Sequence, residues 1–256
     1  MWVCTRVFHV PKRGNAADEY EDAFFPKSPF ARCVNEFRCA VADGASESAY
    51  SGLWAQMLVR GFGLRRMRME HLTRLWERAT KYQPVPWYLE KKLKNGAHAA
   101  FVGLHLRDDT EHDSPKMNAG VETPRFWRAL GVGDSCIFQI REDELLTVGP
   151  LKRAEQFDNS PYLIASKARQ KRIRKRAVHI TVMEGDWQPG DTFFLVTDAL
   201  AHWLLSELEA DRTPWAPLRD LCADEDETLY SRLVDELRTN QGLHNDDTTL
   251  MQVEVD

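Results

Sequence analysis

Apolar and polar positions change period several times along the chain, and the changes mark out its elements. Residues 1–10 alternate, with Val3, Val7 and Val10 among the apolar positions, which predicts a first strand. A Gly-containing loop over residues 11–26 then runs into an acidic cluster and the pair Phe24-Phe25. A second strand is predicted from Val34 to Val41, ending at Asp43-Gly44. Helical spacing of Leu53, Met57, Leu64, Met67, Leu72, Leu75 and Trp76 predicts helices over 49–66 and 68–82. Beyond Pro84 and Pro86, Trp87 to Leu106 reads as a third helix in spite of Gly96 and Gly103. Residues 107–124 are polar and turn-rich and read as an exposed loop.

From Phe126 the period returns to two. Phe126–Val132, Cys136–Ile140 and Leu145–Val148 read as a meander of short strands, with Gly133-Asp134-Ser135 and Glu142-Asp143 between them. Val178–Met183 and the unbroken apolar run Thr192–Thr197 are further strands; the second stops at Asp198, where a helix begins at once. Residues 214–240 carry a stripe of Leu218, Leu221, Leu229, Leu233 and Leu237 and predict more helix. The run from His244 to Thr249 leads into LMQVEV, a closing strand.

Composition narrows the class. A chain of 256 residues can bury one substantial core, as one large domain or two small ones. A net charge of -5 excludes a general polyanion binder. Five scattered Cys without a CxxC pair predict free thiols in a reducing compartment rather than disulfides or zinc. With no apolar run of spanning length and no signal-peptide layout in MWVCTRVFHV, the expectation is a cytoplasmic protein without a membrane partner. The stretch 167–176 holds seven Lys or Arg in ten positions. It reads as a solvated face or as a docking element for an anionic partner, such as a phosphorylated protein segment. Nucleic acid is disfavoured because no aromatics are interleaved.

The candidate chemistry lies in four Asp-bearing turns beside apolar runs: Asp43, Asp134, Asp198 and Asp246. Singly, Asp43 followed by Gly44 is a common turn and Asp198 a helix N-terminal residue. Brought together, such carboxylates repel one another and lose hydration, so a fold that converges them needs a cation. An all-oxygen set favours Mg or Mn over zinc. Glu21 or Asp22, in the acidic cluster, would stand at the edge of such a site.

The ordered segments EYEDAFF, VADGASES, GVGDSCIF, PGDTFFLVTDAL and NDDTTLMQVEV resemble the metal-dependent protein serine/threonine phosphatases, the type 2C or PPM family. They are spread along the chain, so the resemblance takes in nearly all of it as one domain, 1–256, with 151–177 as a basic flap-like insertion. It implies an α+β fold, a four-layer α-β-β-α sandwich of two antiparallel sheets flanked by helices, with two Mn or Mg ions at one end. Asp43 would bridge the ions and Gly44 offer its carbonyl. Asp198 and Asp246 would complete the pair, and Glu21 and Asp22 would hold metal-bound waters. Asp134 matches the residue that, with Asp198, forms a looser third-metal site, although His202 stands where an Asp is frequent. A metal-activated water would attack phosphorus in line, without a phosphoenzyme. The phosphate-gripping Arg of the family is Ala17 here, which leaves Lys12 or Arg13 to stand in, and Ala45 replaces a His that several members use as leaving-group acid. The Gly-Thr-Thr strand before Gly133 is not recognisable in AGVETP, residues 119–124. Two functions follow: a phosphatase acting on phosphoserine and phosphothreonine in proteins, or a phosphatase-fold binding module docking an anionic partner through 167–176.

Overall fold

A computed structural model of the chain describes residues 1–83, 90–109, 125–157, 161–167, 179–223 and 227–256. The strands are β1 (Trp2–Val10), β2 (Ala23–Phe25), β3 (Phe30–Cys33), β4 (Glu36–Gly44), β5 (His98–Asp108) and β6 (Arg125–Val132), then β7 (Cys136–Arg141), β8 (Glu144–Gly149), β9 (Ile164–Ala165), β10 (Thr181–Asp186), β11 (Thr192–Val196) and β12 (Thr248–Val255). The α-helices are α1 (Ser51–Gly63), α2 (Met69–Thr80), α3 (Glu90–Asn95), α4 (Asp198–Glu209), α5 (Ala216–Ala223) and α6 (Glu227–Asn240). No described helix is long and apolar enough to cross a membrane.

Every described strand pairing is antiparallel. One sheet runs β3-β1-β12-β11-β7-β8; the other runs β10-β6-β5-β4-β2, with β9 on β5. The two-residue period of a strand explains how the sheets stack. In β11, Phe193 and Leu195 face the other sheet, while Phe194 and Val196 face the helices. In β4, Phe37, Cys39 and Val41 face the same inter-sheet core from the opposite side, and Ala40 and Ala42 lie under α1. The outer layers follow. Trp54, Leu58, Phe62, Leu72 and Trp76 pack α1 and α2 on the β4–β5 sheet, and Leu200, Leu204, Leu218, Tyr230, Val234 and Leu237 pack α4, α5 and α6 on the other. This is an α+β sandwich of four layers, as the resemblance implied.

Two expectations are corrected. Residues 98–106 belong to the central strand β5, not to a helix; only Glu90–Asn95 is helical there. Gly96, at φ +86°, ends that helix in a left-handed turn. The following run is buried on both faces, so its apolar residues show no alternation to separate strand from helix. His98 and His105 therefore lie on a strand. Nor do β6, β7 and β8 form a meander: β6 pairs with β5 and β10 in one sheet, and β7 with β8 and β11 in the other. The link between them, Gly133-Asp134-Ser135, crosses from sheet to sheet. Gly133 makes the turn at φ +87°, with no room for a Cβ, which would come within 2.7 Å of Ala100. Of the expected loop 107–124, residues 110–124 lie outside the described residues, as does the basic stretch 167–176 except Lys167. The Lys167 Nζ donates to Leu93 O at 2.9 Å.

Candidate active site

Antiparallel pairing puts particular strand ends side by side. The end of β4 meets the start of β5, Gly44 opposite Ala99. In the other sheet, the end of β11 meets the starts of β7 and β12, with Val196 opposite Cys136 and Leu250. Chain segments leaving these ends surround one cleft of about 690 Å³, and its walls include Lys12, Asp43, Gly44, Asp134, Asp198, Asp246 and Asp247. The four Asp-bearing turns of the sequence are thus brought to a single place.

Each acid is held by local chemistry. Asp43 is on β4 beside α1, and Gly44 must be glycine: a Cβ would lie 2.7 Å from Glu21 O and 2.8 Å from the Ser51 carbonyl carbon. Asp198 opens α4, and its Oδ1 accepts the Ala199 N–H at 2.5 Å. Asp246 Oδ1 accepts the Asp247 N–H at 2.9 Å and faces the Lys12 ammonium at 3.7 Å. Asp134, on the sheet-to-sheet link, is 8 % exposed.

Glu21 and Asp22 stand behind this rim rather than on it. Ser51 Oγ donates to Glu21 Oε1. Asp22 is buried; its Oδ2 accepts from Thr249 Oγ1 at 2.6 Å, and Thr249 also shares a hydrogen bond with the Tyr20 hydroxyl. Arg13 is not brought to the cleft. Its guanidinium meets Asp235 of α6 at 3.0 Å and is exposed.

The electrostatics follow from crowding. Burial pushes the Asp43 carboxyl well above the carboxylate range, and Asp198, Asp22, Asp134 and Asp246 push it further. Burial and the neighbouring Asp134 and Asp246 bring Asp198 up to about 7, against the Ala199 N–H and Lys12, which favour its charge. Asp22 is raised well above its ordinary value by burial, then by Asp247 and Asp198, with the Thr249 hydrogen bond opposing. Such mutual elevation marks a site built for a counter-charge.

A divalent cation fits this donor set. The donors are carboxylate oxygens, and Asp22 Oδ1 is a buried acceptor with no hydrogen-bond partner. Among the described residues, no three His, Cys, Asp or Glu side chains close on one point by themselves. A cation that keeps several waters, as Mg²⁺ does, suits a set this open better than one needing a full protein cage.

Three groups escaped the sequence reading. Asp247, 9 % exposed, accepts the backbone N–H groups of Lys12 and Glu21, each at 2.8 Å, and so ties the N-terminal loop to the segment before β12. Its only signal was the doubled acid in NDDTT. Thr197 and Thr249 lace the end of β11 to β12: Thr249 N donates to Thr197 Oγ1 at 3.0 Å. Lys92 lines the cleft and donates to Ser46 O at 3.3 Å; a 20-residue helix drawn through it concealed this.

Comparison with curated protein sequences finds no match. Solved structures do match. A serine/threonine phosphatase of Mycobacterium tuberculosis, PstP/Ppp, superposes with a TM-score of 0.60 at 14 % identity, covering 100 % of both chains. PppA, a regulatory component of T6SS in Pseudomonas aeruginosa, gives 0.54 at 16 % identity over 99 % of this chain and 98 % of its own. The catalytic domain of PstP in complex with two manganese ions gives 0.52 at 16 %, over 99 % and 100 %. At these identities the likeness is one of fold. The sequence profile of protein phosphatase 2C matches residues 19–238, most of the chain. On that match, the chain belongs to the protein phosphatase 2C family.

Proposed function

We propose that this chain hydrolyses phosphoserine and phosphothreonine in proteins, using two Mn or Mg ions held around Asp43, Asp198 and Asp246. The observation that carries the reading is the convergence of Asp43, Asp134, Asp198 and Asp246 on one cleft, where burial and mutual repulsion hold Asp43 and Asp198 above the carboxylate range. Bound there, the ions supply Lewis acidity, acidifying water and neutralising charge on a phosphoryl group. Asp43, nearest the middle of the acidic set by its interactions, is the bridging candidate; Gly44 contributes a main chain unencumbered by a side chain. Glu21 and Asp22 would serve from behind, through water, and Asp134 with Asp198 would hold a looser third ion.

The remaining work falls to side chains that bind and orient. Lys12 pairs with Asp246 at 3.7 Å while half-exposed, so its ammonium can turn to a phosphoryl oxygen in the cleft. Lys92, across the cleft, is a second cation for the same task. Arg13, held by Asp235, supports the loop that carries Lys12 and does not itself reach substrate. No described Cys lines the cleft, and burial pushes the Cys136 thiol up, which speaks against a cysteinyl intermediate. Attack by water without a phosphoenzyme is the route proposed.

The test is turnover of p-nitrophenyl phosphate with and without manganese, in the wild type and in Asp198→Asn. The expected result is manganese-dependent turnover that falls by about a hundredfold or more in the variant, the scale seen when a group acting in the transition state is removed. Absence of turnover under manganese and magnesium, in protein shown to be folded, would overturn the proposal.

A further inference from the structure

Two loops bring Lys12 and Asp246 to the cleft, and neither belongs to a sheet. They are joined to each other by Asp247, which accepts from Lys12 N at 2.8 Å. Arg238, on the last turn of α6, ties both loops to the body of the protein, and the Arg13–Asp235 ion pair anchors the first of them to the same helix. Arg238 Nη1 donates to Pro11 O at 3.2 Å, one residue before Lys12. Its Nη2 donates to Asp246 O at 2.5 Å and to Thr248 Oγ1 at 3.0 Å. One planar guanidinium thus holds the main chain of both loops, a task its rigid fork of donors suits and an ammonium does not.

The root of that side chain is firm. Leu237, directly before it, is 2 % exposed, and Tyr230 and Val234 on the same helix are buried in the core with Phe8 of β1. Leu237 O also accepts from Gln241 N and Leu243 N, which closes the end of α6 against the segment leading to Asp246. The geometry points to Arg238 as a positioning residue: from the rear of the cleft it sets where the Asp246 carboxylate and the Lys12 ammonium stand, and so governs both divalent-cation affinity and hold on the substrate. This rests on the reading of Asp246 as a metal ligand and Lys12 as a substrate contact. Without the guanidinium, two loop carbonyls lose charge-assisted donors and the loops are free to shift together.

The experiment is a calorimetric titration of manganese into chelator-treated full-length protein, wild type against Arg238→Met and Arg238→Lys, with KM and kcat for p-nitrophenyl phosphate measured on the same samples. Outer partners of metal ligands typically change affinity by 10–100-fold, so Arg238→Met should bind manganese about tenfold or more weakly and show a raised KM. Arg238→Lys, keeping charge but not the fork, should fall between; should Arg238→Met fail to fold, the lysine variant carries the test. If both variants bind manganese as the wild type does and differ only in thermal stability, Arg238 is merely structural and the inference is overturned. If the wild type itself binds no manganese, the proposed function fails first.

Discussion

At neutral pH a metal-free chain must keep Asp198 in a place that disfavours its charge, and this has a signed consequence. The carboxyl titrates near 3.8 in its ordinary state and near 7 in the fold. The folded form therefore holds a proton that the unfolded form has lost, and stability falls as pH rises from about 4 through about 7. Asp198→Asn removes that titration. In chelator, the variant is expected to unfold at a higher temperature than wild type at pH 8, with the difference shrinking towards pH 4; thermal unfolding followed by circular dichroism across that range checks it. A variant no more stable than wild type at pH 8 would mean that the acids do not crowd one another. At this scale the sequence disclosed Asp43, Asp134, Asp198 and Asp246, because each adjoins an apolar run, Asp246 preceding one and the others following theirs. It did not disclose Asp247, whose work is done on the backbone N–H groups of Lys12 and Glu21. Such a role leaves no mark in composition or spacing.

Elements far from the cleft carry their own ties. At the start of β11, Asp191 is fully buried and accepts from Arg141 Nε at 2.6 Å, Arg141 Nη2 at 2.8 Å, Gln139 Nε2 at 2.9 Å and Gln188 N at 3.0 Å. Gln139 Oε1 in turn accepts from Trp127 Nε1 of β6 at 3.0 Å, so a polar chain runs from one sheet to the other through an apolar core. Removing one member of such a network leaves buried donors unmatched. Asp191→Ala is expected to cost about 3 kcal/mol, the lower end for breaking a buried ion pair. Turnover per folded molecule should be unchanged, since the cleft is at the opposite end of β11; denaturant unfolding alongside phosphatase assays tests both. The sequence made β11 plain, because TFFLVT is an unbroken β-rich run stopped by a helix start. It misled at β5, where burial on both faces erases alternation and Gly103 lies directly under the Phe62 ring, 2.8 Å from where a Cβ would be. It misled again between β6 and β7, because which strands pair is settled by packing between sheets and not by the order of runs.

Across the whole molecule, a modest net charge of -5 hides a steep local imbalance. Six acids, Asp43, Glu47, Asp134, Asp198, Asp246 and Asp247, share one cleft with Lys12 and Lys92, and the sandwich brings loop-bearing ends of both sheets together there. Sequence order made that convergence legible only through resemblance, since spacing permits it without requiring it. Divalent cations would make the cleft both tolerable and reactive. Inorganic phosphate released from a phosphothreonine peptide by wild type and Asp43→Asn, over a series of manganese concentrations after chelator treatment, tests it most directly. Release that rises from zero with manganese in wild type and stays absent in a folded Asp43→Asn is the predicted result; equal release in chelator, or by Asp43→Asn, would contradict it.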